Sequence, residues 1–133
     1  MKTNKELLEL YPWLGTSDED GDFTWLDCIP EGWREAFGEQ MCAEIQDIID
    51  RDNIIDYEVL QVKEKFAALR WYDAPYNEDI HKIIRKYAYI SARTCIGCGT
   101  PAKWISTGWY CPYCDECRES DSYFIPIEEF YGE

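Results

Sequence analysis

The sequence contains very little histidine and few basic side chains. His81 is the only histidine among 133 residues, and 13 Lys and Arg stand against 27 Asp and Glu, a formal net charge of −14. One histidine gives poor support for a hydrolytic triad, since no Ser or Cys has a recognisable base as its neighbour. The shortage of cations argues against direct nucleic-acid binding, because Lys and Arg must displace the counterions of a polyanion.

The chain also lacks a hydrophobic run of membrane-spanning length, and no charged and apolar leader opens it. Its seven cysteines are an odd number, and four of them have the spacing of metal ligands. This usage fits a reducing cytosol better than a disulfide framework. We therefore expect a soluble cytoplasmic protein with a modest core that is reinforced by a metal.

The clearest positive feature is a pair of Cys-x-x-Cys motifs near the C-terminus. Cys95 and Cys98 form the first pair, Cys114 and Cys117 form the second, and residues 99–113 separate them. This spacing is typical of a structural zinc site, in which four thiolates complete a tetrahedral shell and leave no position for water. The sequence therefore predicts a structural Zn²⁺ bound by these four cysteines.

Cys111 leaves two alternatives open. Because residues 111–114 also form a Cys-x-x-Cys motif, Cys111 is an alternative zinc ligand, although the pair Cys114 and Cys117 leaves more room for a hairpin over residues 103–110. The sequence Cys-Pro-Tyr-Cys also resembles the active site of glutaredoxins, which would make the protein a thiol-disulfide oxidoreductase. The motif lies near the end of the chain without a βαβ unit around it, so a structural metal is the better explanation.

Acidic residues are concentrated at the two ends of the chain. Residues 1–50 have a net charge of −10, residues 51–94 of +1, and residues 95–133 of −5. Such a field favours a partner with a basic surface, such as the nucleic-acid groove of another protein, although acidity also favours solubility. The candidate contact residues are Asp18, Glu19, Asp20, Asp22, Glu35 and Glu39.

Local patterns predict an α+β fold. The predicted elements are a helix opened by the capping box of residues 3–6, a helix over 31–50, strands over 57–62 and 66–72, a helix after Asn77, and an edge strand or docked tail over 124–127. We expect an antiparallel hairpin packed on two main helices, followed by a four-cysteine zinc-finger module. Residues 1–94 would form the acidic α+β domain, and residues 95–133 the zinc-binding module and acidic tail, packed together as one unit.

The charged residues 63–65 are expected to connect the two strands, and their role has two interpretations. They could form a contact loop, in which Lys63 and Lys65 bind an anionic group or an acidic partner. Alternatively, local ion pairs hold the turn while Phe66, Leu69 and Trp71 pack in the core. The second interpretation is the preferred one.

Several segments resemble one family of uncharacterised bacterial and bacteriophage proteins. They are Gly32-Trp33, residues 61–72, residues 91–95, Cys98-Gly99 and Gly108-Trp109. The family has a Gly-Trp helix, a Val-Lys-Glu-Lys-Phe-Gly-x-Leu-Arg-Phe-Tyr hairpin and a C-terminal zinc finger. It has Gly where this chain has Ala67, and alanine disfavours the positive φ that glycine would allow at this position. The resemblance implies a phage or prophage context without an established activity.

These observations favour a non-enzymatic, zinc-stabilised accessory protein that acts in the host cytoplasm. It would bind a host protein with a basic surface, for example as a nucleic-acid-mimicking inhibitor of a defence system such as a CRISPR effector. The alternatives are the thiol-disulfide oxidoreductase and a small immunity or adaptor protein that neutralises a cognate toxin.

Overall fold

The computed structural model describes residues 1–16, 21–119 and 123–132, which form the predicted α+β fold. The helices are α1 (Asn4–Leu10), α2 (Glu31–Trp33), α3 (Glu39–Asp52), α4 (Glu78–Ser91) and α5 (Ile127–Tyr131), with 3₁₀ turns at Pro12–Leu14 and Trp25–Cys28. The strands are β1 (Glu58–Lys65), β2 (Ala68–Ala74), β3 (Trp104–Ser106), β4 (Pro112–Tyr113) and β5 (Phe124–Pro126). Within the described ranges, no helix combines the length and hydrophobicity needed to cross a bilayer.

Helix α1 begins with the predicted capping box. The Thr3 hydroxyl accepts a hydrogen bond from the Glu6 backbone N–H, and the Glu6 carboxylate accepts one from the Thr3 N–H. This reciprocal arrangement satisfies two backbone donors that have no partner within the helix. The helix is short because Pro12 follows it and begins a 3₁₀ turn. Leu7 is the residue that the helix buries.

The predicted helix over residues 31–50 is present as a continuous helical segment that ends two residues later. A π-helical turn, Arg34–Gly38, joins α2 to α3. Asn53 ends α3 in the left-handed conformation, with φ of 53°, which its short polar side chain tolerates. An apolar stripe at helical spacing along this segment packs in the main core. Its buried members are Trp33, Phe37, Met41, Cys42, Ile45 and Ile49.

The hairpin of β1 and β2 is antiparallel, but its turn differs from the predicted one. Lys65 pairs with Ala68, so only Phe66 and Ala67 connect the strands, and residues 63–65 belong to β1. Phe66 has φ of 52° and Ala67 of 67°. A two-residue turn with positive φ at both positions has a twist that matches the strands it joins. The hairpin therefore adopts this turn even without the glycine that would favour it.

This register corrects the expectation that Phe66 lies in the core. Phe66 is at the tip of the hairpin and 63% exposed, whereas Leu69 and Trp71 point inward and are buried, as predicted. Ala67 is fully buried in a second, smaller cluster with Ile105 and Ile127 of the C-terminal part. The tip of the first hairpin is thereby attached to the segment that carries the second cysteine pair.

Helix α4 packs on both β2 and α3 and begins at the predicted cap. The Asn77 side chain accepts hydrogen bonds from the backbone N–H groups of Asp79 and Ile80. At the other end, Ser91 is fully buried, and its hydroxyl accepts a hydrogen bond from the Leu69 N–H at 2.8 Å while donating to the Ala88 carbonyl. This one side chain connects the helix to the hairpin.

Replacing Ser91 with Ala should destabilise the protein. The substitution leaves the buried Leu69 N–H without its acceptor, and an unpaired buried donor costs about 1–3 kcal/mol. Urea unfolding should show a lower midpoint at an unchanged slope. Truncation of the exposed Arg85 on the same helix is the control and should change the free energy of unfolding by less than about 0.5 kcal/mol. Equal midpoints for S91A and the wild type would contradict the assigned role.

The C-terminal part is a three-stranded antiparallel sheet in the order β4-β3-β5. The predicted edge strand over 124–127 is thus present as β5, which leads directly into α5. The Ile127 N–H donates to the Lys103 carbonyl, and the Tyr131 hydroxyl donates to the Ala92 carbonyl at the end of α4. These contacts hold the sheet and the tail against the rest of the protein.

Candidate metal centre

The two Cys-x-x-Cys pairs meet in space. The four Sγ atoms of Cys95, Cys98, Cys114 and Cys117 lie within 4.8 Å of one another, and those of Cys98 and Cys114 are 3.5 Å apart. Four sulfurs at the Zn–S distance of about 2.3 Å on a tetrahedron would be about 3.8 Å apart. The cluster therefore has close to the dimensions of a four-thiolate metal site.

Each pair lies on a tight turn that directs both sulfurs to the same point. The Gly99 N–H donates to the Cys95 carbonyl in the first turn, and the Arg118 N–H donates to the Cys114 carbonyl in the second. Gly99 has φ of +82°, a conformation that favours glycine. A Cβ at Gly97 would lie 3.0 Å from the Cys117 Sγ, so this glycine leaves room for the sulfur.

The segment between the pairs forms the hairpin that the spacing predicts. Strands β3 and β4 pair antiparallel, with Trp104 opposite Tyr113. The Ile96 N–H donates to the Pro112 carbonyl at 3.1 Å, which joins the first turn to the strand that precedes the second. The hairpin thus returns the chain to the point where Cys114 and Cys117 can face the first pair.

Cys111 lies outside the sulfur cluster and has a different environment. Its thiol is buried and donates a hydrogen bond to the Glu64 Oε1 at 3.7 Å. Burial and the negative charge of Glu64 both disfavour the thiolate and raise the pKa of Cys111 to about 12. A thiol that keeps its proton is a poor nucleophile. The placement of Cys111 therefore supports neither its use as a ligand nor its use as a redox residue.

The sulfur cluster favours ionisation of one of its members. Burial opposes ionisation of Cys114, but hydrogen bonds from the Thr100 hydroxyl, the Cys117 backbone and neighbouring thiols outweigh it and lower the pKa of Cys114 to about 6. The pKa of Cys117 is raised, mainly because its thiol is hydrogen-bonded to Cys114 and, to a smaller extent, to Cys95. A bound cation would replace these shared protons, so metal binding should weaken as pH falls.

The first cysteine turn packs directly on α2. The Gly32 N–H donates to the Ile96 carbonyl at 2.9 Å, and the Trp33 indole Nε1 donates to the Thr94 carbonyl at 2.9 Å. A Cβ at Gly32 would lie 2.3 Å from the Cys95 carbonyl oxygen, so the turn approaches the helix where no side chain intervenes. Sequence reasoning did not assign this role to Gly32, although a glycine inside a predicted helix is a signal of close packing.

The structure describes only three of the six candidate acidic residues. Asp22 and Glu35 are exposed, while Glu39 is partly exposed and accepts a hydrogen bond from the Lys2 N–H at 2.9 Å. Asp18, Glu19 and Asp20 lie outside the described residues. Other acidic side chains stabilise the fold by ion pairs, such as Asp27 with Arg34 at 2.7 Å. Three of the six candidates are therefore described and lie at least partly exposed in the N-terminal region. That all six form one surface stays a prediction.

The fold and the site define a small α+β protein with a cluster of four cysteines that could hold a metal ion. Comparisons with protein-family models, with curated proteins and with solved structures found no match. The function of the protein is therefore inferred from the geometry and charge of this chain.

Proposed function

We propose that this protein is a zinc-stabilised, non-enzymatic accessory protein that acts by binding another protein. The cluster of four cysteines is the observation on which the proposal depends. A tetrahedral set of thiolates suits Zn²⁺, and four protein ligands leave no coordination position for a water molecule or a substrate. The metal would then stabilise the fold and take no part in chemistry.

The proposed partner is a host protein with a basic surface. The net charge of −14, with −10 in residues 1–50, supports this choice because complementary potentials accelerate encounter and disfavour wrong partners. The family resemblance adds a phage or prophage context. Within it, a nucleic-acid-mimicking inhibitor of a host defence or nucleic-acid-handling protein is the function that the charge distribution supports best. A thiol-disulfide oxidoreductase is less well supported, because Cys111 is buried and its pKa is raised.

Affinity capture from host lysate at increasing ionic strength tests the proposal. The partner should be retained at low salt and lost towards about 1 M, where the Debye length is about 3 Å. The variant Asp22→Asn, Glu35→Gln, Glu39→Gln should bind the captured partner at least about threefold more weakly, since exposed charge pairs contribute about 0.2–1 kcal/mol each.

The matched control neutralises three acidic residues elsewhere. Asp56, Glu128 and Glu129 are exposed and lie outside the candidate surface. Their replacement with Asn, Gln and Gln changes the net charge equally and should leave the affinity within about twofold of the wild type, because a screened long-range field contributes little. If neither added salt nor either triple variant weakens binding, the proposed electrostatic contact with a basic partner is wrong.

A further inference from the structure

The tips of the two hairpins meet and enclose a groove. The Trp109 indole Nε1 donates a hydrogen bond to the Glu64 Oε1 at 2.9 Å, and the ring centroids of Phe66 and Tyr110 are 6.3 Å apart. Between them is a groove of about 490 Å³, lined by residues 63–66 and 108–110. Its volume lies within the range of ligand pockets, about 300–1,000 Å³.

The walls of the groove expose large aromatic side chains. Phe66 is 63% exposed and Trp109 is 75% exposed, while Tyr110 is 36% exposed. Neighbouring aromatic side chains that remain open to solvent are characteristic of contact surfaces, since Trp and Tyr dominate the energetics of protein interfaces. The groove is therefore suited to an apolar side chain of a partner.

The aromatic wall is held in place by the backbone and by Glu64. The Glu64 Oε2 accepts a hydrogen bond from the Ala67 N–H at 3.2 Å, while its Oε1 binds Trp109. Phe66 has a φ of 52°, a backbone conformation that is unfavourable for a residue with a Cβ. Asn or Gly would suit the turn better. Strain of this kind is concentrated at functional sites.

The hairpin also carries a cluster of positive charge. Lys63 lies directly opposite Arg70 across the two strands, and Lys65 lies opposite Ala68. In the described part of the chain, none of these three cations forms an ion pair with a carboxylate. Like charges directly opposite each other destabilise a hairpin. In a chain with a net charge of −14, this basic cluster should attract an anionic ligand.

We propose that the groove binds a short acidic peptide segment of a partner protein. An apolar or aromatic side chain of the peptide would insert between Phe66 and Trp109, and flanking carboxylates would pair with Lys63, Lys65 and Arg70. This contact is distinct from the acidic surface and takes a partner of opposite charge.

Charge distinguishes a peptide from other occupants of the groove. A single-stranded nucleic acid carries a phosphate at every residue and extends beyond the three cations into the acidic field of the protein, which repels it. A second copy of the chain would bring another net charge of −14. A short acidic peptide presents only a few carboxylates, which can pair with Lys63 and Lys65 at the groove and with Arg70 beside Lys63.

Fluorescence polarisation with labelled synthetic peptides tests the inference. The probes are six-residue peptides in which a central Phe, Trp or Leu is flanked by Asp or Glu. One matched set has Lys in place of the acidic residues, and another has Ala at the centre. We expect binding in the micromolar range or tighter for the acidic apolar set, at least about tenfold stronger than for either matched set, a difference of about 1.4 kcal/mol. Absence of binding by every acidic apolar peptide would overturn the proposal.

The decisive variant is Phe66→Asn. Asn tolerates positive φ, so this change keeps or raises the stability of the hairpin while it removes the aromatic wall. Peptide affinity should fall at least about tenfold, which corresponds to about 1.4 kcal/mol, whereas urea unfolding should show an equal or higher midpoint. Ile55→Asn is the control, since Ile55 is 96% exposed and lies outside the groove, and it should bind as the wild type does. Wild-type peptide affinity in F66N would also overturn the proposal.

Further measurements distinguish the peptide from the other possible ligands of the groove. They also test this proposal independently of the proposed acidic contact surface. If a labelled oligothymidine binds more tightly than any peptide, the groove is a nucleic-acid site and the peptide proposal is wrong. If the protein self-associates in sedimentation and F66N abolishes this, the groove binds a second copy and the peptide proposal is also wrong. The Asp22→Asn, Glu35→Gln, Glu39→Gln variant should still bind the peptides, and F66N should still capture a basic partner. The two proposals therefore fail independently.

Discussion

Removal of the proposed zinc, or replacement of Cys95 or Cys117 with Ser, is expected to unfold the C-terminal part of the protein. Among the residues that the structure describes, the buried members of the second cluster are Ala67, Ala102, Ile105 and Ile127. A core of this size is too small to order three short strands by itself. Structural Zn²⁺ contributes about 10–16 kcal/mol of apparent binding free energy in zinc-finger peptides, so its loss should remove most of the stability there.

Metal analysis and hydrogen exchange together measure this effect. The purified protein should contain one zinc per chain, and both the chelated protein and the Ser variants should lose amide protection in β3 and β4. Two matched substitutions serve as controls: Cys28 is exposed and outside the cluster, and Cys111 is buried against Glu64. C28S and C111S should each retain the zinc. Full protection after chelation, or loss of zinc in C111S, would contradict the assigned ligand set.

Among substitutions that add one methyl group to the helical segment, Gly32→Ala should lower the free energy of unfolding the most. A Cβ there would lie 2.3 Å from the Cys95 carbonyl oxygen and 2.7 Å from the Ile96 carbonyl carbon. Both are backbone atoms of the cysteine turn, so no side-chain rotation can relieve the overlap. We expect a loss of about 3 kcal/mol in the free energy of unfolding, at the upper end of the usual range for overpacking. Urea unfolding measures the loss.

Gly38→Ala in the adjoining π-helical turn is the matched control. The atoms nearest to the added methyl group would be the Leu26 methyl carbons at 3.4 Å, which is ordinary contact with a flexible side chain. Replacing a helical glycine with alanine normally stabilises by about 0.5–1 kcal/mol, so the two substitutions should have opposite signs. A G32A protein as stable as the wild type would show that the cysteine turn does not pack on α2 as described.

Much of the fold follows from patterns that neighbouring residues determine. The capping box of residues 3–6, the apolar stripe of the long helical segment and the Asn77 cap each depend on side chains within one or two turns of each other. The spacing of the two Cys-x-x-Cys pairs also predicts the hairpin between them. These features are local, so composition and periodicity are sufficient to locate them.

The turn of the first hairpin depended on contacts that no local pattern contains. Residues 63–65 have the polar character of a connection, yet they extend β1 and pair with residues 68–70 of β2. Glu64 also accepts a hydrogen bond from Trp109, which is 45 residues away. Ala67, which has a positive φ, packs against Ile105 and Ile127 in the second cluster, and Phe66 lies at the exposed tip. Packing energy from distant residues outweighed the local preference against that backbone conformation.

The sequence by itself determined that four cysteines could form one metal site, since the turns that present them are local and their spacing is characteristic. Tertiary structure decided which side chains surround that site. Cys111 is drawn to Glu64 instead of the sulfur cluster, and Gly32 allows the first cysteine turn to approach the backbone of α2. Both outcomes depend on residues more than forty positions apart, whose proximity arises only when the packed core brings their elements together.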